Sequence, residues 1–124
     1  MIVGIGTDIT AIARIREILA KTEKFKERNF TSAECAAGDL RKDSAPYYTG
    51  RWAAKEACAK ALGCGIGAEC ALTDVEILND TANAPCLTLH GAAERRAAQL
   101  GVKACHVSIS HEQEYAVAFV ILEK

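Results

Sequence analysis

The sequence predicts an α+β fold, a single compact domain over residues 1–124 in which a long packed helix lies against a mainly antiparallel sheet. Three observations favour this class. The segment "CHVSISHEQEYAVAFVIL" places two alternating, β-rich runs on either side of a polar turn, which is typical of a β-hairpin. The segment "GRWAAKEACAKALGCGIG" has the small residues of a closely packed helix. A chain of 124 residues also fits one domain.

The first half of the chain is predicted to contain one strand followed by helices. "MIVGIGTD" is typical of a short apolar strand, and its glycines allow another backbone to approach closely. Thr31 and Glu34 have the spacing of a capping box, which predicts the start of a short helix. Between these segments, apolar residues at helical spacing predict a helix through Ile9, Ile12, Ile15 and Leu19.

The second half begins with the long helix and ends with the hairpin. Ser44 and Pro46 mark the start of the long helix, since proline is tolerated in a first turn. It is predicted to run to about Leu62 and to end at the glycines of "GCGIG". "LTDVEIL" and "CLTLH" then predict two short strands joined by the turn "NDTANAP". Gly91–Leu100 predicts an amphipathic helix.

Composition and charge exclude several classes of protein. Half of the residues are hydrophobic and a quarter are charged, which is ordinary globular usage and argues against disordered or fibrous chains. No apolar run approaches the ~18 residues that would span a bilayer, and the N-terminus does not resemble a signal peptide. The net charge of −1 gives no reason to expect a nucleic acid or a membrane as partner. The sequence therefore predicts a cytoplasmic protein.

The six cysteines suggest neither disulfides nor zinc. They contain no C-x-x-C pair, and the three histidines do not bracket them at zinc-finger spacing. We interpret them as reduced core residues, which leaves a cysteine-based metal or redox protein as a minor alternative.

The long helix carries the first candidate functional group. Its alanines and Cys58 gather on one half of the helix and predict a close-packing face. Trp52, Glu56 and Lys60 form a stripe at the border of that face, each four residues from the next. By pattern alone, Glu56 and Lys60 are interpreted as a solvated surface ion pair, and a functional role is the alternative.

Asp8 is the second candidate, at the predicted junction of the first strand and the first helix. It is interpreted either as a helix N-cap or as a ligand of a hard cation. Mg²⁺ typically takes one or two carboxylates and leaves its other positions to water and phosphates, so Asp8 and Glu56 together would suit it. The pattern does not by itself predict that the two residues meet.

Two weaker candidates lie near the ends of predicted elements. Gly63 opens "GCGIG", but this segment follows a helix, whereas phosphate-binding loops follow a strand and open a helix. His111 ends the strand "HVSIS" and is interpreted first as a structural residue. Beside a phosphate, its imidazolium would be a suitable hydrogen-bond donor.

A local surplus of positive charge lies in the predicted first helix and just after it. It is interpreted as a solvated helix face or as a surface for an acidic partner. The basic residues of this segment are Arg14, Arg16, Lys21, Lys24, Lys26 and Arg28.

Five sequence blocks occur in an order and at a spacing that resemble one known family. They are "GIGTDI" at Gly4–Ile9, "FTSAE" at Phe30–Glu34, "GRWAAKEACAKALGCGIG" at Gly50–Gly67, "ND" at Asn79–Asp80 and "VSISHEQEYAVAFVIL" at Val107–Leu122. Together they cover nearly the whole chain and resemble the holo-acyl-carrier-protein synthase type of 4′-phosphopantetheinyl transferase. The resemblance implies transfer of the phosphopantetheine arm of coenzyme A to a serine of an acyl carrier protein, in fatty acid biosynthesis. A binding module that docks acidic proteins without chemistry is the alternative.

The resemblance also implies roles for individual residues. Asp8 and Glu56 match magnesium-binding acids, and Lys60 matches a lysine that contacts the phosphates of coenzyme A. The resemblance thus implies that Asp8, Glu56 and Lys60 are the catalytic residues. Arg51, Gly63 and His111 fall where the family binds coenzyme A.

Partners and assembly are implied in the same way. The segment that carries Arg14, Lys21, Lys24 and Arg28 matches the helix that meets the acidic carrier protein. The family forms homotrimers with active sites between protomers. The sequence departs from the family after Asp80, where Ala84 stands in place of a basic residue.

Overall fold

The computed structural model describes residues 1–124 and combines α-helices with antiparallel strands, which confirms the predicted α+β class. The strands are β1 (Ile2–Ala11), β2 (Val75–Asn79), β3 (Pro85–Leu89), β4 (Ala104–His111) and β5 (Tyr115–Glu123). The helices are α1 (Ile12–Lys21), α2 (Lys24–Asn29), α3 (Ser32–Asp39), α4 (Ala45–Ala61) and α5 (Gly91–Leu100), and a 3₁₀ turn spans Leu72–Asp74. No helix combines the length and the apolar composition needed to cross a membrane.

The strands form two separate antiparallel sheets. One has the order β1-β5-β4, and the other is the β2-β3 hairpin. The β4-β5 hairpin predicted from alternation is confirmed, with Val107 paired with Val120. Strand β1 pairs with β5 along almost its whole length, and Asp8 lies opposite Ala118. The three-stranded sheet thus connects the first and last segments of the chain.

Helix α4 rests on β1 through two glycines. A Cβ atom added to Gly6 would clash with the carbonyl oxygen of Ala57, and one added to Gly4 would clash with that of Ala61. The helix backbone therefore lies directly on the strand, which is possible only because both positions lack a side chain. This contact confirms the close approach predicted from the sequence and fixes the height of α4 above Asp8.

Substituting Gly6 with alanine should lower the free energy of unfolding by about 3 kcal/mol, because the new methyl group meets rigid helix backbone. Thermal and urea unfolding would measure the loss. Gly67→Ala is the matched control, since a Cβ there has no heavy atom within 4 Å. Equal stability of the two variants would contradict the close contact between α4 and β1.

The packing face of α4 forms the centre of the core, as predicted. Its small side chains are fully or almost fully buried and meet strands β2, β4 and β5 and helix α5. The small residues of α4 in this core are Ala53, Ala54, Ala57, Cys58, Ala59 and Ala61. A second cluster joins α1, α2 and α3 to the first half of α4.

A buried ion pair links α4 to α3 and β2. Lys55 and Glu34 are both completely buried, and the Lys55 ammonium donates to Glu34 Oε1 over 2.8 Å and to the carbonyl oxygens of Leu72 and Val75. Glu34 Oε2 accepts from the backbone N–H of Ile77 over 2.9 Å. The capping box predicted for Glu34 is confirmed, but the sequence did not predict that the same carboxylate holds Lys55.

Three boundaries differ from the prediction. Helix α1 begins at Ile12, and Ile9 lies in β1 with 64 % of its surface exposed, so its assignment to the helix is wrong. The cause is pairing of β1 with β5 as far as Ala11. The basic segment is split between α1 and α2, and β2 begins only at Val75, after the 3₁₀ turn.

All six cysteines are free thiols, as predicted. Cys58 and Cys70 are buried, and burial raises the pKa of the Cys70 thiol to about 12. Cys86 is exposed, so its assignment to the core is wrong. No three His, Cys, Asp or Glu residues are gathered to hold a metal, which gives no support to a cysteine-based metal protein.

Candidate active site

Asp8 lies inside β1, on the face that meets α4. Its side chain is 17 % exposed, and both carboxylate oxygens accept hydrogen bonds. The Lys60 ammonium lies 3.3 Å from Oδ1 and also donates to the carbonyl oxygen of Thr7, while the Thr10 hydroxyl donates to Oδ2 over 2.8 Å. The N-cap interpretation of Asp8 is wrong, because Ala11 is the N-cap of α1 and no side chain caps that helix.

Glu56 is a half-buried carboxylate beside Asp8. Burial is the main cause that raises the pKa of Glu56, and the charge of Asp8 raises it further. The charges of Lys60 and Arg14 act in the opposite direction. The surface ion pair of Glu56 and Lys60 is a wrong interpretation, because Lys60 pairs with Asp8. The structure thus brings Asp8, Glu56 and Lys60 into one group, which the sequence pattern alone did not predict.

Asp8 and Glu56, here called the acid pair, have the chemistry of a site for a divalent cation that is shared with a substrate. Two carboxylates, one on β1 and one on α4, lie close enough for Asp8 to destabilise the charged form of Glu56. A cation between them would relieve that repulsion. Mg²⁺ accepts one or two carboxylates and completes its shell with water and phosphate oxygens. The donor set fits magnesium better than a metal that needs an all-protein cage.

Gly63 lies at the same end of α4 as Lys60. Its φ of +76° is in the left-handed region that favours glycine, and its N–H donates to the carbonyl oxygen of Lys60. Arg96 of α5 donates from Nε to the carbonyl oxygen of Leu62 over 3.1 Å. The predicted end of the helix is confirmed, and Gly63 follows the acid pair and Lys60 at one edge of the molecule.

Arg51 lies on a different side of α4. It is nine residues before Lys60, so at 3.6 residues a turn the two side chains leave the helix in roughly opposite directions. The Arg51 guanidinium donates from Nη2 to Asn79 Oδ1 over 2.8 Å and stacks over the ring of Tyr47. Its Nε has no hydrogen-bond partner, and burial lowers the pKa of Arg51. This buried cation has no carboxylate partner.

His111 lies at the other end of α4 from Lys60. It is exposed and borders an open pocket of ≈ 480 Å³ together with Pro46, Asp43 and Arg16. The rise from Pro46 to Lys60 along α4 is about 21 Å at 1.5 Å per residue. Within one chain, Arg51 leaves α4 on the side opposite Lys60. His111 lies two strands from Thr10, with Ala116 between them, and neither Arg51 nor His111 forms a hydrogen bond with Asp8, Glu56 or Lys60.

The basic segment presents charge next to the acid pair. Arg14 of α1 lies 6.0 Å from the centre of the Trp52 ring, and its charge lowers the pKa of Glu56. Lys21 is exposed and pairs with Glu17 of its own helix. Lys24 and Arg28 are also exposed, on α2. The four basic residues predicted to meet a partner are thus on the surface, and Arg14 is the one beside the site.

One face of the three-stranded sheet is apolar and exposed. Its residues alternate along β1 and β5 and point away from α4, as the pairing of Thr7 with Phe119 and of Ile9 with Val117 requires. A pocket of ≈ 330 Å³ joins this face to Lys60. The exposed apolar residues of the face are Ile5, Ile9, Tyr115, Val117 and Phe119.

Thr10 is a site residue that sequence reasoning missed. It is 4 % exposed, and its hydroxyl contacts Asp8. The sequence contained a signal for it, because Thr10 is two residues after Asp8 and residues two apart in a strand share a face. It became usable only once β1 was known to continue beyond Asp8.

The chain is similar in sequence to holo-[acyl-carrier-protein] synthases along nearly its whole length. The protein of that name from Halorhodospira halophila is 44% identical over 98% of each chain. The one from Vibrio cholerae (strain O395) is 43% identical over 100% of this chain and 99% of the relative.

Solved structures with the same name share the fold. The synthase from Neisseria meningitidis superposes with a TM-score of 0.91 at 32% identity and full coverage of both chains. The Bacillus anthracis synthase in complex with CoA (3′,5′-ADP) gives 0.84 at 40% identity, over 98% of this chain and 96% of the other. The Helicobacter pylori synthase in complex with coenzyme A gives 0.84 at 36% identity, over 96% and 99%.

A family model covers the same region. The model of the 4′-phosphopantetheinyl transferase superfamily matches residues 4–120, a span that includes the acid pair, Lys60, Arg51 and His111. The chain therefore belongs to the 4′-phosphopantetheinyl transferase superfamily, as a holo-[acyl-carrier-protein] synthase.

Proposed function

We propose that this chain transfers the 4′-phosphopantetheine arm of coenzyme A to a serine of an acyl carrier protein and releases adenosine 3′,5′-bisphosphate. The names of its relatives and the coenzyme A complexes of two of the similar structures support the reaction. The observation in this chain that carries the proposal is the group of Asp8, Glu56 and Lys60 at one end of α4.

Asp8 and Glu56 would hold Mg²⁺ in this proposal. When bound, the cation supplies positive charge that neutralises the pyrophosphate of coenzyme A. Phosphoryl-type transfer depends mainly on positioning and on charge neutralisation. Lys60 is half-exposed beside Asp8, so its ammonium is free to turn toward a phosphate oxygen and to add a second positive charge there.

Coenzyme A binding would use both ends of α4. Arg51 is a buried cation without a carboxylate partner. A phosphate of coenzyme A would be an anionic hydrogen-bond partner for its guanidinium. His111 is exposed at the end of β4 and could donate to the nucleotide, while Gly63 lets the chain turn sharply after Lys60. Arg51 leaves α4 on the side opposite Lys60, so the two cations would not meet one phosphate within one chain.

The opposite directions of Arg51 and Lys60 support sites that lie between protomers, and the family resemblance makes the assembly a homotrimer. In such an assembly, Arg51 and His111 of one copy would complete the site formed by Asp8, Glu56 and Lys60 of the next. The exposed apolar face of the three-stranded sheet supports it as well, because large exposed apolar patches mark interaction surfaces. The pocket that joins this face to Lys60 would place the interface beside the chemistry.

The carrier protein would dock on Arg14, Lys21, Lys24 and Arg28. Carrier proteins are acidic, so an exposed basic surface next to the acid pair would steer the acceptor serine toward it. On the resemblance alone, we also propose that residues 1–124 act as one transferase domain in the cytoplasm and serve fatty acid biosynthesis.

Charge reversal at Lys24 and Arg28 should raise the KM for the carrier protein about tenfold at low salt. The KM for coenzyme A should not change, because both side chains are exposed and neither forms an ion pair with Asp8, Glu56 or Lys60. Steady-state rates at several salt concentrations would measure the effect, which should shrink as salt rises. Arg95→Glu on the exposed side of α5 is the control, and an equal rise in its KM would contradict the docking surface.

Intact-mass spectrometry tests the reaction itself. An apo-acyl carrier protein incubated with this chain, coenzyme A and Mg²⁺ should gain the mass of one phosphopantetheine. A mixture that lacks Mg²⁺ and contains a chelator should show no gain. A carrier protein that binds the chain but gains no mass would contradict the proposal and support a binding module.

A further inference from the structure

Thr10 is a buried polar residue whose hydroxyl donates to a carboxylate of the candidate site. The side chain is 4 % exposed and lies on the face of β1 that meets α4. Its hydroxyl donates to Asp8 Oδ2 over 2.8 Å. The hydroxyls of Thr7 and Thr49 donate to backbone carbonyl oxygens, and the hydroxyl of Thr31 donates to the Glu76 carboxylate. Of these four hydroxyls, that of Thr10 is the one that donates to a residue of the candidate site.

Thr10 is the more rigid of the two groups that hold the Asp8 carboxylate. The other group, Lys60, is 54 % exposed and reaches Oδ1 over 3.3 Å through a flexible side chain. Thr10 is buried and branched at Cβ, so its χ1 angle is restricted. A hydrogen bond from such a group fixes the rotation of the carboxylate plane. With Oδ2 held by Thr10, Oδ1 stays directed toward Lys60 and the open side of the site.

We propose that Thr10 is a positioning residue that orients the Asp8 carboxylate for the divalent cation. This inference rests on the proposed function, since it takes Asp8 as a cation ligand. Hydrogen bonds to ligating side chains commonly set the orientation of the ligand and the affinity for the metal. Thr10 itself does not touch substrate or cation in this role.

The test is a titration of the protein with Mn²⁺, followed by the electron paramagnetic resonance signal of free Mn²⁺ at saturating coenzyme A. Coenzyme A alone is titrated as the blank. Thr10→Val removes the hydroxyl but keeps a β-branched shape suited to a strand, and it should weaken Mn²⁺ binding about tenfold. Thr10→Ser keeps the hydroxyl and should retain most of the affinity. Thr49→Val removes another buried hydroxyl, far from Asp8 in the chain, and should leave Mn²⁺ binding unchanged.

Asp8→Asn separates the failure of this inference from the failure of the proposed function. If the wild type binds no Mn²⁺ beyond the blank, or if Asp8→Asn binds it as tightly as the wild type, the proposed cation site is wrong, and the role of Thr10 is overturned with it. If Asp8→Asn loses Mn²⁺ but Thr10→Val binds it normally, only the positioning role is wrong.

A merely structural role for Thr10 would give a different pattern. Thr10→Val and Thr49→Val would then lower the unfolding temperature and Mn²⁺ binding to a similar extent, which would also overturn the inference. Thermal unfolding of each variant is measured alongside the titration. If Thr10→Val does not fold, Thr10→Ala is the second hydroxyl-free variant, and its Mn²⁺ affinity decides in the same way.

Discussion

Asp8→Asn and Glu56→Gln should each slow phosphopantetheine transfer by about a hundredfold to a thousandfold, the usual effect of removing one preorganised charge from an active site. Each change removes one of the two carboxylates that we propose hold Mg²⁺. Neither changes the size of the side chain, so the close contact of α4 with β1 is preserved. The loss should appear in the rate of mass gain by the carrier protein.

The stability of Glu56→Gln distinguishes a functional loss from unfolding. In the folded chain, burial and the charge of Asp8 raise the pKa of Glu56 above its ordinary value. An acid whose pKa is raised by folding destabilises the fold while it is ionised, so the cost is present at neutral pH and disappears as the pH falls below the ordinary pKa. Glutamine removes this cost. The variant should therefore unfold at the same temperature as the wild type or above it, while being almost inactive.

Glu94→Gln is the matched control for these variants, because Glu94 is exposed on α5. It should keep the wild-type rate and unfolding temperature. Full turnover by either Asp8→Asn or Glu56→Gln would contradict the proposed cation site. A low rate that accompanies loss of the folded state would leave Glu56 with a structural role and would contradict its proposed function.

Local patterns in the sequence predicted much of the fold. The β4-β5 hairpin, the capping box of α3 and the extents of α4 and α5 follow from alternation, side-chain capping and glycine positions, which act over a few residues. Ile9 shows where such patterns are insufficient. It fits the helical spacing of the next residues and also the alternation of β1, and only pairing with Val117 at the far end of the chain selects the strand.

The site was predictable in its residues but not in its contacts. The pattern proposed Glu56 and Lys60 as partners because they are one helical turn apart, a separation at which ion pairs form. The structure pairs Lys60 with Asp8 because Gly4 and Gly6 let α4 lie on the strand that carries this acid. Such a contact depends on how two distant segments pack, and a pattern read along one helix does not contain it.

Lys55 is the largest omission of the sequence-based prediction, and its replacement gives the second large expected effect. It lies in the same helix as Arg51 and Glu56, where an ordinary lysine would be solvated. It is instead fully buried and bonded to Glu34, Leu72 and Val75. Burial is the main cause that lowers the pKa of Lys55, and the charge of Glu34 opposes it. The charge of Glu34 therefore offsets part of the cost of burying the Lys55 ammonium.

Lys55→Met should lower the free energy of unfolding by about 3–5 kcal/mol, the usual cost of removing one partner of a buried ion pair. Methionine has a similar length and fills the space, so the loss comes mainly from the unpaired carboxylate of Glu34. Two carbonyl oxygens, those of Leu72 and Val75, also lose a donor. Urea unfolding at neutral pH would measure the difference. We expect the substitution to weaken the packing of α4 against α3 and β2.

The double variant Lys55→Met, Glu34→Gln tests the cause. Glutamine removes the unpaired charge and keeps an oxygen that can accept from the N–H of Ile77 or Thr31. The double variant should therefore recover part of the stability lost by Lys55→Met, which is the sign of an electrostatic penalty. Lys103→Met, at an exposed lysine before β4, should cost little and serves as the control. If adding Glu34→Gln lowered the stability further, removal of the Glu34 charge would have given no gain. The stability lost by Lys55→Met would then come from packing rather than from an isolated charge.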